Sequence, residues 1–123
     1  MLKSLLIVGL GSFIGGVLRY ALSVYIKNNC SQGFPWGTLL VNLMGCLVMG
    51  LILALFRENG STGNMWCLLL TTGLCGGFTT FSTFSCESFQ MLQSGDFATL
   101  ALYLASNLIG GILLMGLGYW LVR

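Results

Sequence analysis

Gly73-Leu-Cys-Gly-Gly-Phe-Thr-Thr-Phe-Ser-Thr-Phe-Ser-Cys-Glu87 is the stretch on which the reading of this chain turns. It gathers three glycines, a run of hydroxyls, three phenylalanines and a carboxylate. Hydrocarbon penalises hydroxyls that lack partners, and penalises a carboxylate more. The stretch therefore either builds a protein-lined polar path or lies outside a membrane, and its surroundings decide which.

Those surroundings are apolar. Of 123 residues 56% are hydrophobic and 7% charged, with mean hydropathy +0.92. Soluble domains carry about 25% charged residues, so this composition is that of an integral membrane protein. One domain, 1–123, is the limit at this length. Histidine is absent and Glu58, Glu87 and Asp96 are the only acids. Most acid–base, metal and triad chemistry is excluded, no nucleophile–base pair is present, and an enzyme is not expected. Lys3, Arg19, Lys27, Arg57 and Arg123 give a net charge of +2. They form no patch that would call for nucleic acid. Cys30, Cys46, Cys67, Cys75 and Cys86 are odd in number and lack metal spacing, so they read as small hydrophobes at helix contacts.

Four apolar segments follow, at about 2–26, 36–56, 65–93 and 97–122. The first continues past the point where a signal peptide would give way to a polar mature chain. Its Gly11 and Gly15 form a G-x-x-x-G pair suited to close helix approach. Arg19, near its far end, can snorkel or line an aqueous vestibule. A polar loop at 27–33 leads to Pro35 and Trp36. In the second segment Thr38 and Asn42 stand four apart on one face with Gly45 and Cys46. An amide there needs a protein partner or a polar cavity. A loop is expected at 57–64 and a turn at 94–96, and the last segment ends in Tyr119-Trp120. Both termini then share a side. Lys3, Arg57 and Arg123 on that side stand against Lys27 on the other, a positive-inside signal weak enough to permit dual topology.

The third segment is long for a membrane. About 29 residues reach nearly 44 Å as a helix at about 1.5 Å per residue, against a hydrocarbon core of about 30 Å. Gly73, Gly76 and Gly77 sit near its middle, which predicts two half-helices with a break at 76–80. Such a break releases backbone carbonyls able to meet a hard cation such as sodium. The competing reading is a continuous helix using 73–77 as a glycine packing face. Beyond the break, Thr80, Thr83 and Glu87 form one stripe at i, i+3 and i+7, flanked by Phe81 and Phe84. Aromatic ring edges carry partial positive charge, so hydroxyl donors beside ring edges suit a small anion. In the fourth segment Tyr103, Ser106, Asn107 and Gly110 form a second polar stripe.

At these residues the chain resembles the Fluc family of CrcB-type fluoride ion channels. The matching pieces are Gly15-Gly-Val-Leu-Arg19-Tyr20, Gly37-Thr-Leu-Leu-Val-Asn42-Leu-Met-Gly45 and, most specific, Gly76-Gly-Phe-Thr-Thr-Phe-Ser-Thr-Phe-Ser85 with Glu87. The resemblance implies an all-α membrane protein with four transmembrane helices, the third broken, assembled as an antiparallel dual-topology homodimer. It implies two fluoride pathways and passive export across a bacterial cytoplasmic (inner) membrane. Pathway residues carried over are Asn42, Phe81, Phe84, Thr80, Thr83, Glu87 and Tyr103, with Arg19 at the vestibule. Thr38 and Ser106, on the same polar faces, complete the candidate set. It also implies a structural Na+ at the dimer centre, held by the backbone carbonyls of Gly76 and Thr79 from each chain. Two other readings compete. A small multidrug-type proton-coupled cation transporter usually needs a carboxylate in its first helix, and this one has none. The glycine-rich faces also allow a structural subunit of a larger membrane complex.

Overall fold

The computed structural model describes residues 1–30, 33–58 and 65–122, and among these the secondary structure is entirely helical. The helices are α1 (Leu2–Asn29), α2 (Trp36–Glu58), α3 (65–78), α4 (Ser82–Ser94) and α5 (Phe97–Val122). Four spans, Leu2–Asn29, Trp36–Phe56, Met65–Ser94 and Phe97–Val122, are long and apolar enough to cross a bilayer. The first helix runs three residues beyond the expected end at 26, and Asn29 Nδ2 donates back to Tyr25 O at 2.8 Å. The expected loop at 57–64 is shorter at its start, because α2 continues through Glu58. The rest of that loop, at 59–64, lies outside the described residues.

Two helix pairs form the body, α1 on α3 and α2 along α5. Glycine permits both contacts. A Cβ added at Gly11 would stand 2.7 Å from Leu69 O and 2.8 Å from Gly73 Cα, and one at Gly15 would overlap Leu74 O. Gly77 lies equally close on the backbone of Ser12. The G-x-x-x-G pair of α1 and the glycine face of α3 therefore meet backbone to backbone, as small residues allow in membranes. Across the other pair, Gly50 lies against Met115 O and Gly118 against Leu47 O.

Little of the apolar surface is enclosed. Tyr103 and Val41 are the largest fully buried side chains, and Leu39, Phe84 and Tyr103 form a small core with Phe34, Leu43, Met91 and Leu104 packed on it. Leucine, isoleucine and phenylalanine side chains of α1 and α5 point outward. Lipid tails are as apolar as leucine, so a membrane protein has no reason to hide them.

The third span is broken, but not where glycine content placed the break. Its first half is a helical turn (Met65–Leu68), a π-helical stretch (Leu69–Cys75) and a final turn (Gly76–Phe78). Thr79 then turns to extended backbone (φ −81°, ψ 157°), and α4 starts at Ser82. The non-helical residues are 79–81, so the expected 76–80 break is corrected by about three residues. The glycines serve contact with α1 and stay helical. The chain leaves the helix where a side chain of α2 captures its backbone. At the far end, Gly95 takes a left-handed conformation (φ 78°) to close α4, and Asp96 Oδ1 accepts from Thr99 N–H at 3.4 Å as α5 begins.

Candidate functional site

The captured backbone belongs to Thr80. Its N–H donates to Asn42 Oδ1 at 2.8 Å, and its carbonyl accepts from Asn42 Nδ2 at 3.1 Å. The carboxamide of Asn42 thus pairs with a whole peptide unit, as a neighbouring β-strand would. Backbone polar groups inside a membrane protein require such partners. The other Nδ2 hydrogen goes to Asn107 Oδ1 at 3.1 Å, and Asn107 Nδ2 donates to Tyr103 O at 3.1 Å. Both hydrogens of Asn42 are engaged.

Diverting Thr80 N–H has a consequence one turn earlier. In a continuous helix that N–H would donate to Gly76 O, four residues back. Likewise Thr83 N–H, which would donate to Thr79 O, donates instead to Thr80 Oγ1 at 3.2 Å. The two carbonyls named from resemblance as cation ligands are the two that lose their helical donors. Between them, Gly77 O accepts from Arg19 Nε at 3.3 Å. Gly76 is exposed on the face of the protomer. No group of three or more His, Cys, Asp or Glu able to hold a metal occurs among the described residues. A cation on this chain would therefore draw on carbonyl oxygen, which can replace an ion's hydration shell.

Beside the break opens a vestibule of about 730 Å³ whose lining includes Arg19, Lys27, Thr38, Thr80, Thr83 and Glu87. Tyr103 stands at its inner edge, donating its phenol proton to Glu87 Oε1 at 2.8 Å. Buried Thr38 also hydrogen-bonds that phenol. The stripe Thr80–Thr83–Glu87 and the residues Thr38 and Tyr103 are thus brought together. Thr80, however, precedes α4 and acts in the manner of a capping residue rather than as part of the resumed helix. Ser106 is not brought in, since its Oγ donates to Leu102 O of its own helix at 2.7 Å.

Aromatic rings run along the same side. Phe81 and Phe84 have centroids 5.9 Å apart, Phe84 and Tyr103 5.2 Å, and Tyr103 and Phe34 5.5 Å with the last pair edge-on at 89°. Phe84 is 7% exposed and Phe81 76%. One ring is fixed in the core and the other projects from the protomer. Phe34 and Asn107 are the residues sequence reasoning left out of the site. Asn107 stood in the polar stripe of α5, but its amide partner on α2 is a tertiary fact. Phe34 carried only a proline–tryptophan neighbourhood as a signal.

The family description "CrcB-like protein, Camphor Resistance (CrcB)" matches residues 6–119. The chain belongs to that family. Every site residue from Arg19 to Asn107 lies inside the match. Relatives in the family align nearly end to end. A protein of Phocaeicola vulgatus is 45% identical over 120 residues, covering 98% of each chain. One of Pectobacterium carotovorum is 45% identical over 122 residues, 99% of this chain and 95% of the relative. One of Leptospira interrogans is 40% identical over 121 residues, 98% and 95% respectively. All three bear the name "Fluoride-specific ion channel FluC". By that name these family members are channels rather than enzymes.

Proposed function

We propose that this chain is a fluoride-selective channel, passing fluoride down its gradient out of a bacterial cytoplasm and so lowering its toxicity. The observation that carries the reading is the near end-to-end identity of 40–45% with proteins bearing that name. The site geometry agrees with it. Two cations, Arg19 and Lys27, line the vestibule that an anion would enter. Beyond them the hydroxyls of Thr38, Thr80 and Thr83 can replace the water of a small, strongly hydrated ion, and the edges of Phe81 and Phe84 border the same path. Because both hydrogens of Asn42 are engaged, an anion drawing on that amide competes with Thr80 O or Asn107 Oδ1 for one of them.

The working unit we propose is an antiparallel homodimer of dual topology with two pathways. Support comes from the weak charge bias and from the protomer face that leaves Phe81 and Gly76 uncovered. The carbonyls of Gly76 and Thr79 fit a structural sodium at the twofold axis, since their helical donors are drawn off to Asn42 and Thr80. Such an ion supplies a fixed positive charge between the two pathways. Liposomes loaded with fluoride and holding the purified protein should release it without a proton gradient, while chloride stays inside. Equal release of chloride, or release only with a proton gradient, overturns the reading.

A further inference from the structure

The break in the third span depends on the orientation of one carboxamide, and that carboxamide has three partners rather than two. Thr80 fixes the two ends of the Asn42 amide. It leaves the second Nδ2 hydrogen to find its own acceptor, beside a vestibule where water and anions compete for it. In the structure that hydrogen is taken by Asn107 Oδ1 at 3.1 Å. Asn107 is itself oriented by its own helix. Only its NH2 end can face Tyr103 O, which it meets at 3.1 Å, so the oxygen end must face α2. Asn107 also borders an otherwise apolar groove between α2 and α5, alongside Cys46 and Gly111. Few competing donors or acceptors are at hand there, and hydrogen bonds in such surroundings hold their geometry.

We propose that Asn107 is a positioning residue: it holds the Asn42 carboxamide flat against the Thr80 peptide, and through it keeps the third span broken. The chain of command runs from Tyr103 O to Asn107, to Asn42, to Thr80. Asn107 need not touch the permeating ion to matter. Losing it frees the Asn42 amide to turn toward the vestibule, and Thr80 N–H returns toward Gly76 O. The consequence for conduction rests on the channel reading above; the backbone consequence does not.

The test therefore reads the backbone. The full chain, labelled with 15N and held in lipid nanodiscs, is compared as wild type, Asn107→Leu, Asn42→Ala and the double variant. Exchange of the Thr80 amide with deuterium is followed by NMR, which the vestibule makes possible by admitting water. In Asn107→Leu the Thr80 amide should exchange at least about tenfold faster. The Ser85 amide, bonded to Phe81 O at 2.8 Å within α4, should keep its rate. In the double variant Thr80 should exchange no faster than in Asn42→Ala alone, since Asn107 acts only through Asn42. Three outcomes overturn the proposal: an unchanged Thr80 rate, equal acceleration of Thr80 and Ser85, or additive effects in the double variant. Should Asn107→Leu fail to fold, Asn107→Ala carries the same comparison with less bulk in the groove.

Discussion

The side chain of Asn42 and the peptide of Thr80 are paired at both ends, at 2.8 Å and 3.1 Å, across 38 residues of chain. Asn42→Ala leaves a donor and an acceptor without these partners in the middle of the protein. Each group so stranded costs about 1–3 kcal/mol, so this variant should melt at lower temperature as well as conduct less. Fluoride efflux from liposomes should fall by about tenfold or more. Wild-type melting with wild-type efflux would show that the pair is dispensable.

Tyr103 and Glu87 allow a finer comparison. Tyr103→Phe keeps the ring contacts with Phe84 and Phe34 but removes the bond to Glu87 Oε1. Hydrogen bonds to charged groups contribute about 1.5–3 kcal/mol. Glu87→Gln retains an oxygen that can accept from the phenol. Thermal unfolding should therefore rank Tyr103→Phe below Glu87→Gln in stability, the reverse of what loss of a charged residue would suggest.

The two phenylalanines should separate folding from conduction. Phe84 is enclosed against Tyr103, and Phe84→Ile should cost about 1–2 kcal/mol through lost ring contact and misfit. Phe81 projects from the protomer, so Phe81→Ile should change protomer stability by no more than about 0.5 kcal/mol. Both should lower fluoride efflux, but only Phe84→Ile should lower the melting temperature of the protomer fold.

Neighbouring glycines of α1 give the sharpest contrast in packing. A methyl at Gly15 meets Leu74 O and the Phe78 backbone, whereas one at Gly16 meets nothing within 4 Å. Gly15→Ala should part α1 from α3 and reduce the yield of folded protein, at about 1–3 kcal/mol for forced overpacking. Gly16→Ala should be neutral or slightly stabilising, by up to about 1 kcal/mol of helix propensity. Equal behaviour of the two variants in size-exclusion profiles and melting curves would contradict the backbone contact.

Much of this was legible in the chain itself. Length and apolarity gave four spans, and the excess length of the third required that it bend or break. The break was misplaced by about three residues because glycine has two uses. In Gly73 and Gly77 it serves approach to Gly11 and Ser12, and the helix survives. What ends the helix is a competitor for Thr80 N–H that sits 38 residues earlier, and no local pattern announces it. The same holds for Asn107. Spacing put it on a polar face with Tyr103, but its bond to Asn42 spans 65 residues. Ser106 shows the converse, a hydroxyl on the right stripe that satisfies itself on its own helix.

The π-helical stretch Leu69–Cys75 carries a constraint of a different kind. Each of its bonds spans one residue more than an α-helical bond, so the stretch accommodates a residue that a plain α-helix would not. Deleting one residue there would let it relax and swing everything downstream by about 100° around the axis. Thr80 would then turn away from Asn42. These seven positions can accept many changes of side chain, yet they should tolerate neither insertion nor deletion. Here the polypeptide preserves a count, and it is the number of residues rather than their identity that inheritance has to keep.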